Sequence, residues 1–398
     1  YVGFTANALE GIADMNILPS TKPYDSVSPD PEAIKKAASL ISQSENPLLM
    51  VGDRVSDDEA LDEAVELAEL AGFTVYQSRG AEVSFPTTHP QYMGVHSLRN
   101  KNHREDLKEY DLVLTVGMET FEELFYWGDV ILDQNTKLIH IDPVYDKVGR
   151  SEPTDIGIVS NCKTGLRALA DSLSSNLDNK HITNRITEIK RKSENQKEEY
   201  RKSTQETWES IPMPPARMMY ELAQAIPDNA IIVDDSISNR AHFRNNFKSI
   251  KRNDIRGVRG QSIGGGIGAT IGTKCAFPDR PVIGVIGDGS AMMTIQGLWS
   301  AANDHIPCVF VICNNGMYRV LKVNYKIYQT DLLGETEPVG EMLPHSDFKT
   351  PINMCNIAKG MGLECEDITS PNQIKPALDK AIKSGKPYLL NISIDGSL

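Results

Sequence analysis

Three clusters of polar residues stand directly after short apolar runs in the second half of the chain. In an open parallel sheet, ligands bind beyond the carboxyl ends of the strands, so these clusters are candidates for a functional site. They contain carboxylate, hydroxyl and amide groups together with glycine. In chain order they are Asp234-Asp235-Ser236-Ile237-Ser238, Gly287-Asp288-Gly289-Ser290 and Asn314-Asn315-Gly316.

The second and third clusters together indicate a magnesium site with a diphosphate beside it. Asp288 offers a carboxylate and Asn315 an amide oxygen, and Mg²⁺ prefers oxygen ligands, completing its shell with phosphate oxygens and water. Glycine on either side of Asp288 lets the backbone approach a ligand closely. Ser290 is expected to open a helix over Ala291–Ala302, whose free N–H groups favour a diphosphate.

Each motif taken alone has a simpler interpretation. A lone Gly-Asp-Gly or Asn-Asn-Gly is usually a turn, and Asp234-Asp235 is expected to cap a strand end rather than bind a metal. The combination favours the site, because both motifs follow apolar strands and 27 positions separate Asp288 from Asn315. That spacing leaves room for one helix and one strand.

The elements that must position these residues alternate along the chain. Short apolar runs separated by amphipathic helices predict parallel sheets covered on both faces. Helices are expected over Glu32–Ile41, Asp57–Ala71 and Pro215–Ile226. The expected strands are Pro47–Gly52, Thr74–Tyr76, Leu112–Gly117, Lys137–Asp142, Ala230–Val233, Val282–Ile286, Cys308–Ile312 and Tyr388–Ile392. The predicted fold class is α/β, with two doubly wound, Rossmann-like parallel-sheet domains.

Composition suggests where these domains begin and end. Residues 1–30 are interpreted as the end of a missing N-terminal domain, with a strand remnant at Tyr1–Phe4, and a Pro/Ser/Asp-rich linker. A central domain is expected over residues 31–177 and a C-terminal diphosphate-binding domain over 207–398. The intervening residues 178–206 are highly polar, which predicts a solvated helical linker.

Charge and cysteine usage exclude some classes of function. The net charge of −13 argues against a nucleic-acid partner, and no apolar run approaches the length that crosses a bilayer. The six cysteines are scattered without a Cys-x-x-Cys pair, so free thiols in a reducing cytoplasm are expected.

The stretch from Gly287-Asp288-Gly289-Ser290 to Asn314-Asn315 resembles the motif of thiamine-diphosphate enzymes. The amino-acid sequence of the neighbouring segments, Ile295–Ala302 and Asn314–Arg319, is similar to that of benzoylformate decarboxylase and its relatives. This resemblance implies that Mg²⁺ is held by Asp288, Asn315 and the backbone carbonyl of Met317. It also implies cofactor contacts that include the diphosphate, made by Ser238, Gly289, Ser290 and Tyr318.

The segment Gly260-Gln261-Ser262-Ile263-Gly264 resembles the family's loop at the middle of the cofactor. The resemblance implies that the Ile263 side chain supports a bent cofactor and that the Gln261 carbonyl accepts a hydrogen bond from its aminopyrimidine. Ser262 is included among the cofactor-binding residues. The simpler interpretation is a glycine-rich helix start over Gly264–Gly272 that packs on the sheet.

The expected substrate pocket departs from the benzoylformate decarboxylase pattern. Ungapped alignment places Leu124 where that enzyme carries a histidine, and leucine cannot transfer a proton. Val320, Leu321 and Asn324 are expected to shape specificity, although Val320 and Leu321 could equally belong to the core. His89 and His96 could border the pocket, but surface or turn positions are the simpler interpretation.

The resemblance implies a thiamine-diphosphate- and Mg²⁺-dependent enzyme that decarboxylates a 2-oxo acid non-oxidatively. An acetolactate-synthase-like carboligase and a non-catalytic nucleotide-binding module are the alternatives. The family's activating glutamate is expected on the missing N-terminal domain, so this chain alone should be inactive and contains no catalytic residue of its own. A homodimer or homotetramer through the cofactor site is the expected assembly.

Overall fold

The computed structural model describes residues 3–21, 26–80, 82–121, 125–128, 130–174, 179–258, 260, 262–336 and 343–397. These residues form two six-stranded sheets in which every strand pair is parallel. Helices flank both sheets, so the predicted α/β class with two doubly wound domains is confirmed. Among the described helices, none combines the length and the apolar character that a membrane span requires.

The first sheet has the strand order β3-β2-β1-β4-β5-β6. Its strands β1 and β4 are apolar apart from Thr115, and all their residues are buried, as expected at the centre of a parallel sheet. The strands are β1 (Pro47–Val51), β2 (Thr74–Gln77), β3 (Tyr92–Val95), β4 (Leu112–Val116), β5 (Lys137–Asp142) and β6 (Ile156–Val159). The helices are α1 (Ala6–Glu10), α2 (Pro31–Gln43), α3 (Asp53–Asp57), α4 (Leu61–Ala71), α5 (Lys101–Asp106) and α6 (Cys162–Leu173).

The polar segment between the domains is a single long helix, α7 (Asn179–Gln205). The predicted solvated helix is observed over most of its surface, but one side of it is packed. Ile182 and Ile189 on one side of α7 are buried. Arg185 donates hydrogen bonds to the carbonyls of Ala71 and Gly72 at the end of α4. These contacts hold α7 against the first domain.

The second sheet has the strand order β11-β12-β10-β9-β7-β8. Its strands are β7 (Ile231–Asp235), β8 (Ile255–Gly257), β9 (Val282–Gly287), β10 (Val309–Asn314), β11 (Glu364–Ile368) and β12 (Tyr388–Ser393). Its helices are α8 (Pro215–Ala225), α9 (Arg240–Asn246), α10 (Gly265–Ala276), α11 (Asp288–Met293), α12 (Gly297–Asn303), α13 (Arg319–Ile327), α14 (Met354–Gly360) and α15 (Ile374–Lys383). The chain reverses its winding direction between β7 and β9, which is the position where such sheets bind ligands.

Two predicted helices are each broken into two in the structure. The helix expected over Ala291–Ala302 ends at Met293, because the Thr294 hydroxyl donates to the Gly264 carbonyl (2.6 Å), and a new helix starts at Gly297. The helix expected from Asp57 begins at Leu61 instead. Glu59 adopts a left-handed φ of 53°, which a continuous helix does not allow.

Two further expectations are also wrong. Gly3 and Phe4 are not in a strand, whereas Tyr1 and Val2 lie outside the described residues. Cys355 and Cys365 form a disulfide rather than two free thiols. Packing of α14 against β11 brings their Cα atoms to 5.3 Å, within the ordinary range for such a bond.

Candidate cofactor site

The carboxyl ends of β7 and β9 lie side by side at the point where the second sheet reverses. Their register pairs Asp235 with Ile286, one residue before the end of β9. The chain then enters α11 at Asp288. Adjacent parallel strands thus place the first two polar clusters of the sequence at one edge of the sheet.

The Asp288 carboxylate is buried and joins the second polar cluster to the third. Its Oδ1 accepts from the Gly289 N–H and its Oδ2 from the Gly316 N–H, each at 2.7 Å. Burial raises the pKa of Asp288 to about 6, and these backbone donors oppose that rise. In the described part of the chain no lysine or arginine pairs with Asp288, so its charge is available to a cation.

Asn315 lies in the loop that holds Asp288. Its side-chain oxygen accepts from the Met317 N–H at 3.1 Å. Residues near the end of the chain cover this loop, since a Cβ on Gly396 would lie 2.8 Å from the Asn315 carbonyl oxygen. Met317 is fixed by a bridge to Asp347.

The donors in this loop are oxygens, which fits Mg²⁺. No cluster of three His, Cys, Asp or Glu side chains occurs among the described residues. A cation here would therefore be held by the Asp288 carboxylate, the Asn315 amide and the Met317 carbonyl, with the remaining positions left to ligand oxygens and water. These are the ligands that the resemblance implies, and they stay a prediction.

Asp235 links three elements around the loop, and the sequence did not reveal this role. It is fully buried, and its Oδ2 accepts hydrogen bonds from the Ser290 hydroxyl and from the Gly266 N–H (2.9 Å). The Ser290 hydroxyl in turn accepts from the Gly264 N–H at 2.7 Å. Asp235 is thus a connector between β7, α10 and α11 rather than the strand-end cap that was expected.

Ser290 therefore has its hydroxyl committed to the protein on both sides. A direct contact between this hydroxyl and a diphosphate would compete with Asp235. The N–H groups of the loop remain the natural anion donors. Because α11 has only six residues, a long helix dipole does not contribute here.

Tyr318 packs directly on Gly289, so two of the predicted cofactor residues are in contact. A Cβ on residue 289 would lie 2.4 Å from Tyr318 Cε1, which explains why glycine stands there. The Tyr318 ring meets Phe348 edge-on with 5.0 Å between centroids. The backbone N–H of Tyr318 donates to the Ser346 carbonyl at 2.7 Å.

A cleft of about 1790 Å³ lies between the two sheet domains. Ser238, Ile263, Val320 and Asn324 line it. Asn324 accepts a hydrogen bond from Arg99 of the first domain at 2.8 Å, which ties the two walls together. The cleft thus collects one diphosphate candidate, the predicted cofactor support and two predicted substrate residues.

The other predicted residues lie elsewhere. Leu321 is 46% exposed and is not part of the described wall of the cleft, and Ser262 is exposed. Gln261 and Leu124 lie outside the described residues. Asp288 and Asn315 are not among the residues that line the cleft.

The two histidines considered from the sequence are both accounted for by protein contacts. His89 Nε2 lies 3.2 Å from Glu69 Oε1. His96 is buried against the rings of Tyr76 and His103, and burial lowers the pKa of His96 to about 3. Neither side chain lines the large cleft in the described structure.

Comparison with known families decides what this architecture is. Residues 34–169 match the family model described as "Thiamine pyrophosphate enzyme, central domain", and thiamine pyrophosphate is another name for thiamine diphosphate. Residues 260–392 match "Thiamine pyrophosphate enzyme, C-terminal TPP binding domain". The chain belongs to the thiamine-diphosphate enzyme family. The resemblance inferred from the sequence motif is thereby confirmed.

Several members of this family resemble the chain over most of its length. A probable acetolactate synthase large subunit of Methanocaldococcus jannaschii is 29% identical over 92% of this chain and 60% of its own. A benzoylformate decarboxylase of Pseudomonas aeruginosa is 27% identical over 92% of this chain and 64% of its own. The chain therefore spans less than two thirds of the length of these relatives.

Solved structures agree with the fold. A thiamine diphosphate-dependent 4-hydroxybenzoylformate decarboxylase of Rhodococcus jostii matches with a TM-score of 0.75 and 25% identity, covering 95% of this chain and 66% of its own. A benzoylformate decarboxylase of Polynucleobacter necessarius matches with a TM-score of 0.76 over 97% of this chain and 68% of its own. At 17% identity, the latter supports the fold alone.

Proposed function

We propose that this chain provides the central and cofactor-binding parts of a Mg²⁺-dependent enzyme that decarboxylates a 2-oxo acid non-oxidatively. One observation carries this proposal. The Asp288 carboxylate and the Asn315 loop meet at the reversal point of the second sheet, with the Gly316 N–H 2.7 Å from Asp288 Oδ2. Family membership makes thiamine diphosphate the natural ligand of that loop.

Each residue near the loop has a role in this proposal. Asp288, Asn315 and the Met317 carbonyl hold Mg²⁺, which neutralises the diphosphate. The loop N–H groups around Gly289 and Ser290, with Ser238 and Tyr318, orient the diphosphate. When bound, thiamine diphosphate supplies a carbon nucleophile and an electron sink for cleavage next to the carbonyl group.

The cleft wall positions the reacting part of the substrate. Ile263 supports the middle of the cofactor, while Val320 and Val323 give one side of the cleft an apolar surface. Such a surface excludes water and strengthens the electrostatic contacts of a bound acid. Asn324, held by Arg99, supplies a fixed amide for substrate contact.

A carboligase of the acetolactate-synthase type is the second candidate. The favouring observation is the 29% identity to the Methanocaldococcus jannaschii protein that carries that description. The two reactions use the same metal and cofactor loop, and they differ in the acceptor that follows carbon dioxide release. Analysis of the products formed from one 2-oxo acid therefore separates them, because a carboligase yields a longer hydroxyketone or hydroxy acid.

In this proposal, the complete enzyme needs catalytic groups that this chain does not contain. An activating glutamate on an N-terminal domain, contributed across a homodimer or homotetramer, would complete the site, and the expected location is the cytoplasm. This chain alone should then release no carbon dioxide from any 2-oxo acid.

The proposal is tested by calorimetric titration of the complete protein with thiamine diphosphate, with and without Mg²⁺, followed by carbon dioxide release from a panel of 2-oxo acids. Micromolar or tighter binding that depends on Mg²⁺ and turnover of at least one acid are expected. Absence of cofactor binding would instead favour a non-catalytic module.

A further inference from the structure

The large cleft has a charge opposite to that of the protein. The chain carries a net charge of −13. Among the described residues, nine lysine or arginine side chains nevertheless line the cleft, together with two carboxylates, those of Asp53 and Glu221. A cleft wall of one sign concentrates counter-ions and steers charged ligands toward itself.

Arg244 is central to this cationic wall. It lies on α9, only nine residues after Asp235 at the end of β7, and it faces Tyr92 of β3 in the other domain. Two further arginines, Arg79 and Arg240, lie near enough to act on its charge. Burial and these neighbours lower the pKa of Arg244 to about 10, so it stays charged at neutral pH.

The Asp234 carboxylate acts on the charge of Arg244 but makes no hydrogen bond or ion pair with it in the described structure. Asp234 already accepts from Arg240 Nε at 3.0 Å and from the Ser236 hydroxyl at 2.6 Å. Within the described part of the chain, Arg244 has no hydrogen bond or ion pair. Lys197 and Lys248 on the same wall also have no carboxylate partner among the described residues.

Such an arrangement is unfavourable without an anion. A partly buried charge that lacks a partner is destabilising, and like charges nearby add to that effect. A guanidinium presents a planar fork of donors that suits a carboxylate, sulfonate or phosphate group. The cost is recovered if an anionic ligand occupies the wall.

We propose that the wall formed by Arg79, Arg240 and Arg244 binds the second acidic group of a small-molecule substrate that carries at least two negative charges. This proposal rests on the proposed function, because it names the substrate class of the same cleft. Ser238 and Ile263 share the cleft with these arginines. A substrate whose reacting end lies at the cofactor can therefore extend its far end toward α9.

The test uses the complete protein saturated with Mg²⁺ and thiamine diphosphate, so that the diphosphate position is filled. Calorimetry compares three unreactive dianions with butyrate, which has one charge. The dianions are glutarate, 3-sulfopropionate and 3-phosphonopropionate, which distinguish a carboxylate, a sulfonate and a phosphonate as the second group. At least one of them is expected to bind tenfold or more tightly than butyrate.

Substitutions test whether Arg244 is responsible for the tighter binding of dianions. Arg244→Met should remove the preference for dianions. Arg244→Lys preserves the charge and should keep part of the preference, and it serves as the second variant if Arg244→Met fails to fold. Arg201→Met is the matched control, since Arg201 lines the same cleft but is exposed and lies 3.7 Å from its partner Glu198. Its dianion preference should stay unchanged.

Equal binding of butyrate and all three dianions would overturn the proposal. So would a loss in Arg201→Met as large as that in Arg244→Met, because this would reflect net charge only. If the protein fails to bind thiamine diphosphate, the proposed function fails. The comparison of dianions with butyrate, and the effect of Arg244→Met on it, then still test the arginine wall in the cofactor-free protein.

Discussion

The two domains have the same architecture but end their central strands in different ways. Each has six parallel strands in the described structure, and the central reversal of the winding lies between β1 and β4 in the first domain and between β7 and β9 in the second. Fold rules alone would make both points ligand sites. The side chains at the strand ends determine which of them is suited to bind a cofactor.

In the first domain the reversal point is filled by the protein itself. Arg54 donates through Nε to the buried Asp142 at 2.8 Å. A Cβ on Gly52 would lie 2.4 Å from Met118 Cβ, so the two strand ends are in close contact. The cavity beside them measures about 130 Å³, below the roughly 300 Å³ of a small ligand pocket.

Among the described residues of the second domain, no cationic side chain pairs with Asp288, the carboxylate that follows β9. The Gly289 and Gly316 N–H groups donate to it, and Asp235 holds the surrounding loop in place. In both domains the fold provides a place where a ligand could bind. The comparison indicates that a binding site arises where a charged side chain at a strand end has no charged protein partner.

The largest effect expected from this contrast is on stability. Asp142→Ala should lower the free energy of unfolding by about 3 kcal/mol, because it leaves Arg54 without its buried partner. Urea denaturation measures the loss. Mg²⁺-dependent affinity for thiamine diphosphate should stay within twofold of the wild type, and a tenfold weakening would show that the first domain takes part in the cofactor site.

Asp235→Asn should weaken the cofactor site without a comparable loss of stability. Both bonds end on Oδ2, and an amide oxygen at that position keeps them only as weaker bonds to an uncharged acceptor, so thiamine diphosphate affinity should fall about tenfold, or ~1.4 kcal/mol. Calorimetric titration at saturating Mg²⁺ measures this. Ser290→Ala should produce a similar loss, and unchanged affinity in both variants would remove the positioning role.

A further expected effect is the pH dependence of the first domain. Since burial lowers the pKa of His96 to about 3, the folded protein holds it neutral, while the unfolded chain protonates it below about 6.5. The resulting stability is present above pH 6.5 and is lost as the pH falls toward 3. Between pH 7.5 and 5.0 the loss should amount to roughly 2 kcal/mol.

Urea denaturation at these two pH values measures this loss. His96→Leu should remove most of it, whereas His305→Asn on the surface serves as the control. An equal pH dependence in wild type and His96→Leu would contradict the assignment to His96.

Much of the fold and the pairing of Asp288 with the Asn315 loop were predictable from the sequence. Strand patterns made of buried aliphatic residues placed β5 at its observed bounds and β1, β9 and β10 within two residues. The cofactor loop was recognisable because its glycines, carboxylate and amides recur at a spacing set by one helix and one strand.

The rest depended on contacts between distant residues. Nothing local to Asp235 shows that Ser290 and Gly266 reach its carboxylate, and the break after Met293 depends on the bond from Thr294 to Gly264. The buried side of α7 follows from the carbonyl groups that Arg185 meets at the end of α4. A one-dimensional pattern does not contain these distances.

The contrast between the two reversal points is tested most directly by one paired measurement. The complete protein is prepared as Asp288→Asn and as Asp142→Asn, and the dissociation constant of thiamine diphosphate is measured at increasing Mg²⁺. We predict a loss of about 100-fold or more for Asp288→Asn, ~2.7 kcal/mol, and wild-type affinity for Asp142→Asn. Wild-type affinity and Mg²⁺ dependence in Asp288→Asn would contradict the assignment of the cofactor to the second domain.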